Sequence, residues 1–197
     1  AEKAGLKVRI IEGLENNFKI TTKDDLNKAT KMTKKDYTDV RIGYGLDVHA
    51  FDKGDHVILG GIKIPHTRAL KGHSDADVVI HAITDAVLGA IAAGDIGDHF
   101  PPSDPKWKNV NSDIFLKHAV KLVAEKKGII NFVDVTIVCE NPKIGPHRDS
   151  MRSNISKIIN LDVERVSVKA TTTEKLGFTG KGQGIMAHAI TTIKLPE

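Results

Sequence analysis

The stretch Arg41-Ile-Gly-Tyr-Gly-Leu-Asp-Val-His-Ala-Phe51 is typical of a β-strand that is broken by glycines. Downstream, the segment His56–Pro65 contains two short β-branched runs that are separated by Gly60-Gly61. A glycine pair between two such runs marks a turn. The sequence therefore predicts a small β-meander at the start of the domain.

The region after the meander predicts helices and further strands in mixed order. Apolar residues recur at helical spacing from Ser74 to Ala93, and Ser74 and Asp77 are placed as a capping box at the helix start. This order favours an α/β sandwich, in which a mixed sheet of four to five strands carries helices on one face. The other predicted elements are helices over Asn111–Lys127 and His147–Leu161, the latter opened by Pro146, and strands over Asn131–Cys139, Arg165–Ala170 and Ile185–Leu195.

The composition excludes several classes of protein. The chain has 197 residues, of which 40% are hydrophobic and 27% are charged, with a formal net charge of +4. The single cysteine, Cys139, cannot form a disulfide within the chain, and no apolar run approaches the ~18 residues that span a bilayer. Scattered lysines and an aromatic content of 5% argue against a nucleic-acid-binding surface.

Residues 1–40 differ in character from the rest of the chain. They carry 9 Lys plus Arg and 7 acids, without a clean helical or alternating pattern. We therefore predict an N-terminal extension over 1–40, either partly ordered or the remnant of a presequence, and one domain over 41–197. A short strand or helix at Lys7–Leu14 is an option within the extension.

Asp47 and His49 form the first candidate pair of metal ligands. Residues two apart on a strand project to the same side, so Asp-Val-His presents a carboxylate and an imidazole to one point. The alternative is a solvated pair at a strand end, a pattern that is common by chance.

The first predicted helix carries Asp77, His81 and Asp85 at positions i, i+4 and i+8, along one stripe beside its apolar face. One interpretation is that His81 is a satisfied core histidine, hydrogen-bonded to Asp77 or Asp85. If the helix packs over the strand instead, Asp47, His49 and His81 supply three nitrogen and oxygen ligands, the composition of a catalytic zinc site. Asp85 would then accept a hydrogen bond that orients one of the imidazoles.

The segment 170–184 is a third candidate cluster, in which a predicted strand ends in hydroxyls, Glu174 and several glycines. Backbone N–H groups and hydroxyls suit phosphate oxygens, and Glu174 is a hard oxygen ligand for Mg²⁺. The alternative is a glycine-rich hairpin turn. The segment is not a Walker A loop, because position 175 is lysine and Gly182 follows Lys181.

Two further loops carry polar groups or exposed backbone. The loop over 94–105 closes the first helix with Gly94 and contains several polar side chains. The loop Asn141-Pro-Lys-Ile-Gly-Pro146 follows a buried strand and offers backbone edges to a planar base. Neither loop decides the function by itself.

Taken in order, these segments resemble the 2-C-methyl-D-erythritol 2,4-cyclodiphosphate synthases of the non-mevalonate isoprenoid pathway. The resemblance runs through residues 41–197 without large gaps, whereas residues 1–40 have no counterpart in the compact form of the family. The motifs that carry it are Arg41–Phe51, Gly72–Val78 with His81, Gly94–Gly97, Asn141–Lys143 and Lys169–Gly180.

The resemblance implies a reaction and its cofactors. The reaction converts 4-diphosphocytidyl-2-C-methyl-D-erythritol 2-phosphate to the cyclic diphosphate and CMP, in a homotrimer with active sites between subunits. The implied cofactors are one Zn²⁺ per subunit on Asp47, His49 and His81, and Mg²⁺ or Mn²⁺ on Glu174 with substrate phosphates. Nucleic acid and membrane are not implied as partners.

The resemblance also implies which residues contact the substrate. His73 and Thr172 are expected to hold the phosphates in the transition state, Ser74 to lie near the erythritol phosphate, and Asp95 and Gly97 to lie near the ribose. Val48, Ile96 and Thr173 are further expected contacts, and the loop from Phe100 to Asp104 is expected beside the erythritol. The cytidine pocket is expected to consist of Cys139, Pro142, Lys143, Ile144, Gly145, Ala170 and Thr171. In some members of the family, the residues at the positions of Phe178 and Lys181 line an apolar cavity on the threefold axis.

Three positions depart from the family pattern. Pro102 stands where the Phe-Pro-Asp loop has an acid, Lys181 stands where arginine is usual, and Gln183 stands where an acid is common. We therefore expect changes in the polar contact to the erythritol, in bidentate phosphate recognition and in the charge at the threefold axis.

Two rival functions use the same residues. A metal-dependent phosphohydrolase would activate water and release a linear product. A trimeric binding module would hold nucleotide in the glycine-rich and Asn141 loops without turnover. The intact set of Asp47, His49, His81 and Glu174 argues against the binding module, whereas the phosphohydrolase would use the same ligands and is distinguished by its product.

The implied pathway operates in bacterial cytoplasm and in plastids. A Lys- and Asn-rich extension before the domain favours a plastid-type organelle, an apicoplast or a chloroplast. Bacterial cytoplasm is the alternative.

Overall fold

A computed structural model describes residues 5, 12, 18–33, 37–108 and 110–196. The chain divides into two compact units, Ala1–Asp36 and Tyr37–Glu197. Within the described ranges, no helix combines the length and the apolar character that crossing a membrane requires.

The first unit contains a helix, α1 (Lys23–Thr33), where the sequence pattern indicated none. A capping box opens it: Asp25 N donates to Thr22 Oγ1 over 3.1 Å, and Thr22 N donates to Asp25 Oδ2 over 2.8 Å. Hydrogen bonds from the backbone of Thr21 and Thr22 lower the pKa of Asp25 to about 2. The Thr-x-x-Asp spacing was the signal for this helix. The element considered at Lys7–Leu14 lies outside the described residues, except for Glu12.

The second unit follows the predicted order of strands and helices, with ends that differ by a few residues. Its strands are β1 (Asp39–Asp52), β2 (His56–Leu59), β3 (Ile62–Pro65), β4 (Ala69–Leu70), β5 (Ile129–Val138), β6 (Val166–Thr171) and β7 (Gly184–Leu195). Its helices are α2 (Val78–Ala90), α3 (Ile96–His99), α4 (Asp113–Glu125), α5 (Arg148–Ile159) and α6 (Gly177–Gly180).

Five strands form one mixed sheet in the order β4-β1-β7-β5-β6, with β5 and β6 parallel to each other. The predicted class, an α/β sandwich with helices on one face of a mixed sheet, is confirmed. The predicted β-meander divides between two sheets. β1 joins the large sheet, whereas β2 and β3 pair as a separate hairpin.

Two glycines let α2 lie directly against β1. A Cβ added at Gly43 would lie 1.8 Å from the carbonyl oxygen of Ala86, and one at Gly45 would lie 2.0 Å from that of Ala82. The strand that looks broken in the sequence is therefore continuous, and its glycines serve helix packing. Ten of the 13 residues of α2 are buried, which explains why its sequence is apolar on nearly every side.

α2 begins later than predicted because Asp77, rather than Ser74, caps it. The Asp77 carboxylate accepts hydrogen bonds from the backbone N–H groups of Val79 and Ile80 at 3.1 Å, and further ones from the Gly60-Gly61 turn. The predicted Ser74–Asp77 capping box is therefore wrong. One buried carboxylate fastens the β2–β3 hairpin to α2, although burial raises its pKa to about 6.

The face of β1 that points away from α2 is apolar and exposed. From Val40 to Val48 every second residue is apolar and between 42% and 71% exposed, and Phe132 on β5 and Ile190 on β7 continue the patch. Exposed apolar patches of this kind mark protein–protein contacts. We call these residues the open face: Val40, Ile42, Tyr44, Leu46, Val48, Phe132 and Ile190.

We predict that Gly45→Ala lowers the free energy of unfolding by about 3 kcal/mol, because the added methyl group displaces α2 from the sheet. Gly145→Ala is the matched control, since an added Cβ there meets no heavy atom within 4 Å. We expect the control to change stability by no more than about 0.5 kcal/mol. Urea unfolding of both variants measures the difference, and equal stability would contradict the close approach.

Candidate functional site

Three side chains from β1 and α2 converge at one point. Asp47 and His49 project from β1 towards α2, on the strand face that also carries Gly43 and Gly45. Asp47 Oδ2 lies 3.0 Å from His49 Nε2 and 2.9 Å from His81 Nδ1, and the two imidazole nitrogens are 3.1 Å apart. The structure thus brings together the side chains that the sequence suggested as ligands. We call Asp47, His49 and His81 the metal triad.

The metal triad fits a divalent metal ion. Tetrahedral zinc sites have bonds of ~2.0–2.1 Å to nitrogen and oxygen, which places their ligand atoms about 3.3 Å apart. The separations of 2.9–3.1 Å in the triad approach this spacing. The ligand atoms of these three side chains all lie within 4.8 Å of one another. Among the residues that the structure describes, this is the group of three or more His, Cys, Asp or Glu side chains that is close enough to hold a metal ion.

The nitrogen of each imidazole that faces away from the triad has a hydrogen-bond partner. His49 Nδ1 lies 2.6 Å from the carbonyl oxygen of Lys71, which can only accept, so Nδ1 carries the proton. His81 Nε2 lies 2.8 Å from Ser112 Oγ and 3.1 Å from Ser74 Oγ. With Nδ1 protonated, His49 can present an unprotonated Nε2 to a bound metal ion, as metal ligation requires.

Asp85 forms a different hydrogen bond from the one suggested by the sequence. Its carboxylate accepts from Ile96 N at 2.8 Å and so anchors the loop after α2, and burial raises its pKa. The interpretation of His81 as a core histidine bonded to Asp77 or Asp85 is wrong. Its ring contacts Asp47 on one side and the two serine hydroxyls on the other.

Charges within the triad favour an ionised carboxylate. Burial opposes ionisation of Asp47, but the hydrogen bonds and charges of His49 and His81 outweigh it and hold the pKa of Asp47 below its ordinary value. Burial likewise acts to lower the pKa of His49, but the hydrogen bond and charge of Asp47 raise it overall. The triad therefore presents a carboxylate to a cation.

A cavity of 470 Å³ opens beside the metal triad. One wall is aromatic: the Phe100 ring centroid lies 4.6 Å from that of Phe115 and 4.8 Å from that of Trp107. Of the substrate contacts expected from the sequence, His73, Ser74, Ile96, Gly97 and Phe100 line this cavity. The lining residues that were not expected as contacts are Lys71, Gly72, Trp107 and Phe115. Gly72 lies in one of the motifs that carry the resemblance, whereas no sequence signal pointed to the other three as cavity residues.

Among the expected contacts outside this cavity, two hold loop structure and one faces away from it. Asp95 caps α3 in a capping box with Asp98. Asp104 caps the turn that follows it and pairs with Lys106 at 3.0 Å. Val48 lies on the open face of β1 and is 42% exposed. The carboxylates of Asp95 and Asp104 thus hold loop structure, and Val48 points away from the metal triad.

A second cavity, of 410 Å³, lies at the ends of β5 and β6. Burial raises the pKa of the Cys139 thiol in its wall to about 11, so this group is a neutral thiol at pH 7. The lining contains every residue assigned to the cytidine pocket, together with Pro146 and Thr172: Cys139, Pro142, Lys143, Ile144, Gly145, Ala170 and Thr171.

Thr172 and Glu174 lie near the second cavity and apart from the metal triad. Thr172 Oγ1 donates to Glu174 Oε1 over 2.6 Å. The sheet register aligns Asp47 on β1 with Ala170 on β6 through two intervening strands. Strands lie ~4.8 Å apart, so these positions are separated by about 14 Å. Within one chain, Glu174 therefore does not join the metal triad.

The remaining expected contacts lie in the glycine-rich segment, which contains α6. Thr173 Oγ1 donates to the Leu176 carbonyl over 2.6 Å and so holds the turn before α6. Phe178 is 39% exposed, and Lys181 is exposed just after the helix. The interpretation of the segment as a hairpin turn is wrong, because β5 lies between β6 and β7 in the sheet.

Comparison with known proteins adds a family to this geometry. The profile of the YgbB family matches residues 40–194. The chain belongs to the YgbB family. Two similar curated proteins, both called bifunctional enzyme IspD/IspF, come from Ruegeria sp. strain TM1040 and Rhodopseudomonas palustris strain TIE-1, and each is 54% identical over 196 residues. The matches cover 98% and 100% of this chain, but 51% and 49% of those proteins. The chain thus spans about half the length of these curated relatives.

Solved structures share the fold of the YgbB domain. The bifunctional IspDF of Campylobacter jejuni is 38% identical with a TM-score of 0.78, and the match covers 98% of this chain and 52% of that one. The IspF of Plasmodium falciparum, in a CDP complex, is 36% identical with a TM-score of 0.71, and the match covers 80% and 97% of the two chains. Because the bifunctional relatives match nearly the whole chain, residues 1–40 also align with them.

We predict that His49→Ala and His81→Ala each abolish divalent-metal binding by the purified chain, because two remaining ligands do not close the site. The metal content should fall from about one ion per chain to near zero. His56→Ala is the matched control, because His56 lies on β2 and pairs with Asp55 outside the metal triad. Inductively coupled plasma mass spectrometry of dialysed protein gives the stoichiometry. Full metal content in either triad variant would refute the assignment.

Proposed function

We propose that this chain has the 2-C-methyl-D-erythritol 2,4-cyclodiphosphate synthase activity, converting 4-diphosphocytidyl-2-C-methyl-D-erythritol 2-phosphate to the cyclic diphosphate and CMP. The observation that carries the proposal is the convergence of Asp47, His49 and His81 beside a cavity, in a chain of the YgbB family. The second cavity supports it, because it gathers the residues expected to hold cytidine. The activity is that of a phosphorus–oxygen lyase in isoprenoid biosynthesis.

The proposed reaction is intramolecular. An oxygen of the 2-phosphate attacks the β-phosphorus of the same molecule, and the bond from that phosphorus to the CMP oxygen breaks. The second pKa of a phosphomonoester is ~6, so the nucleophile is already ionised at pH 7 and a general base is unnecessary. Charge repulsion and alignment dominate the barrier, and the protein must neutralise and orient phosphates.

Zn²⁺ is the ion that we propose for the metal triad, and Mg²⁺ or Mn²⁺ the ion for Glu174. Two imidazole nitrogens and one carboxylate oxygen suit zinc, whereas a lone carboxylate beside a hydroxyl suits a hard cation that also takes phosphate oxygens. When bound, these ions would neutralise the diphosphate and help to align it.

The substrate contacts that we propose divide between the two cavities. His73 and Ser74 lie in the wall of the first cavity, in the loop that precedes α2, where the erythritol phosphates would sit. Thr172 lies in the wall of the second cavity, beside the cytidine pocket. We propose that His73 and Thr172 hold the phosphates in the transition state from opposite ends of the diphosphate.

A homotrimer with active sites between subunits is part of the proposal. The open face supports it, because a row of apolar side chains up to 71% exposed is a surface that association would bury. The separation of about 14 Å between Asp47 on β1 and Ala170 on β6, two residues before Thr172, also supports it. A neighbouring subunit can supply the second cavity and Glu174 to the first cavity.

The departures from the family pattern affect three proposed contacts. Pro102 lines the first cavity with an apolar ring, so it gives no polar contact to the erythritol. Lys181 offers one ammonium in place of the planar fork of arginine. Gln183 has an uncharged side chain, and its backbone carbonyl accepts from Phe51 N at 2.9 Å. We propose that Phe178 and Lys181 line a threefold-axis cavity that differs in charge from that of other family members.

The curated relatives bear on the source of the chain. Those described above are bacterial and 54% identical to it, whereas the Plasmodium falciparum chain is 36% identical. The expectation of a plastid-type organelle is therefore not supported. We propose instead the alternative location, the cytoplasm of a bacterium.

The reaction product tests the proposed function. Incubation of the purified chain with 4-diphosphocytidyl-2-C-methyl-D-erythritol 2-phosphate, Zn²⁺ and Mg²⁺ should yield the cyclic diphosphate and CMP in equal amounts. Phosphorus NMR identifies the product. A linear phosphate product would establish the rival phosphohydrolase, and tight nucleotide binding without CMP release would establish the binding module.

We predict that Glu174→Gln keeps the zinc of the metal triad but loses the Mg²⁺ dependence of turnover, because the amide removes a charged oxygen ligand. Zinc content should match the parent chain, and the rate should fall by roughly 10²-fold or more. Glu164→Gln is the matched control, since Glu164 lies in the exposed turn before β6. An unchanged Mg²⁺ titration curve in Glu174→Gln would contradict the proposed second cation site.

A further inference from the structure

We propose that Ser112 and Asp75 form a hydrogen-bonded relay that fixes the tautomer of His81 and so sets the metal affinity of the triad. This inference rests on the metal site of the proposed function. It goes beyond that site because neither residue is a metal ligand and neither lines the first cavity.

The relay runs from the far side of the His81 ring into the protein. Ser112 precedes α4, is 0% exposed, and places its Oγ 2.8 Å from His81 Nε2. The Ser112 hydroxyl donates to Asp75 Oδ1, and Ser112 N donates to Asp75 Oδ2 over 3.2 Å. Asp75 thus holds Ser112 at two points, which leaves the hydroxyl no freedom to turn away.

The chemistry of the three groups fixes each proton. A carboxylate can only accept, so the single hydroxyl hydrogen of Ser112 points to Asp75. Ser112 Oγ then faces His81 with a lone pair, so His81 Nε2 must carry the ring proton and donate it. When a metal ion takes the place of the proton between His81 and Asp47, the ring is bound through Nδ1, the nitrogen that lies 2.9 Å from Asp47 Oδ2 in the metal triad. The carboxylate behind the serine also makes the imidazole a stronger ligand.

Ser74 is the competing partner of His81 Nε2, at 3.1 Å. Its hydroxyl oxygen accepts from Ala76 N, and the residue lines the cavity, where a ligand can reach it. Ser112 is closer, buried and anchored by Asp75. The relay through Ser112 is therefore the fixed one, and it does for His81 what the carbonyl of Lys71 does for His49.

Zinc affinity of the full chain, measured by competition with a chromophoric chelator, tests the relay. Ser112→Ala should weaken zinc binding by roughly 10–100-fold, the usual loss when the partner of a metal-bound imidazole is removed. Asp75→Asn should also weaken it, because one accepting oxygen becomes an N–H donor. Ser74→Ala should weaken zinc binding clearly less than Ser112→Ala does, because Ser74 is the more distant partner of His81 Nε2. Ser150→Ala, on the exposed side of α5, is the matched control and should leave it unchanged.

The histidine tautomers of the zinc-loaded parent chain give a second measurement that needs no variant. Nitrogen-15 NMR of labelled histidines should show His81 bound through Nδ1, with a slowly exchanging proton on Nε2. Metal on Nε2, or a rapidly exchanging proton there, would overturn the relay.

The outcomes separate this inference from the proposed function. If the parent chain binds zinc, His81→Ala loses it, and Ser112→Ala binds as tightly as the parent, the relay is wrong and the metal site stands. If the parent chain and His81→Ala bind zinc alike, the metal site is wrong and the relay falls with it.

Discussion

The close approach of α2 to β1 determines where the metal triad forms. Gly43 and Gly45 remove side chains from the contact, so the helix backbone lies directly against the strand. Because side chains alternate along a strand, the same face next carries Asp47 and His49. The helix thereby brings His81 from its first turn to within 2.9 Å of Asp47. A larger residue at either glycine would move the imidazole away from both partners. The geometry of a polar site thus depends on a contact between two stretches of backbone.

Because side chains alternate, the other face of β1 has a different function from the face that carries the metal ligands. Its covered face carries the glycines and two triad residues, whereas the open face carries Ile42, Tyr44 and other large apolar groups. A shift of one residue in strand register would exchange these faces and destroy both. In the proposed trimer, burial of the open face would hold the second cavity of a neighbour against the metal triad. One strand would then specify both the ligand geometry and the assembly that completes the site.

The sequence predicted those parts of the site that follow from local periodicity. Spacing of two on a strand paired Asp47 with His49, and helical spacing placed His81 beside an apolar face. It did not predict Ser112 as a partner of His81, because the packing of α4 on α2 decides that contact. The same limit explains the start of α2. The periodicity fitted a helix from Ser74, but Asp77 accepts from the β2–β3 turn as well as from the helix, a tertiary contact that local pattern does not contain.

The cavity beside the metal triad combines charged groups with an apolar wall. The aromatic wall consists of Phe100, Trp107 and Phe115. Apolar walls lower the local dielectric constant and so strengthen electrostatic contacts. In the proposed reaction the nucleophile belongs to the substrate, so water is a competitor and not a reactant. A wall that excludes water therefore favours ring closure over hydrolysis at the same phosphorus. A phosphohydrolase with the same metal triad would need a polar position that holds water in line, and the ring of Pro102 occupies part of that wall with an apolar group.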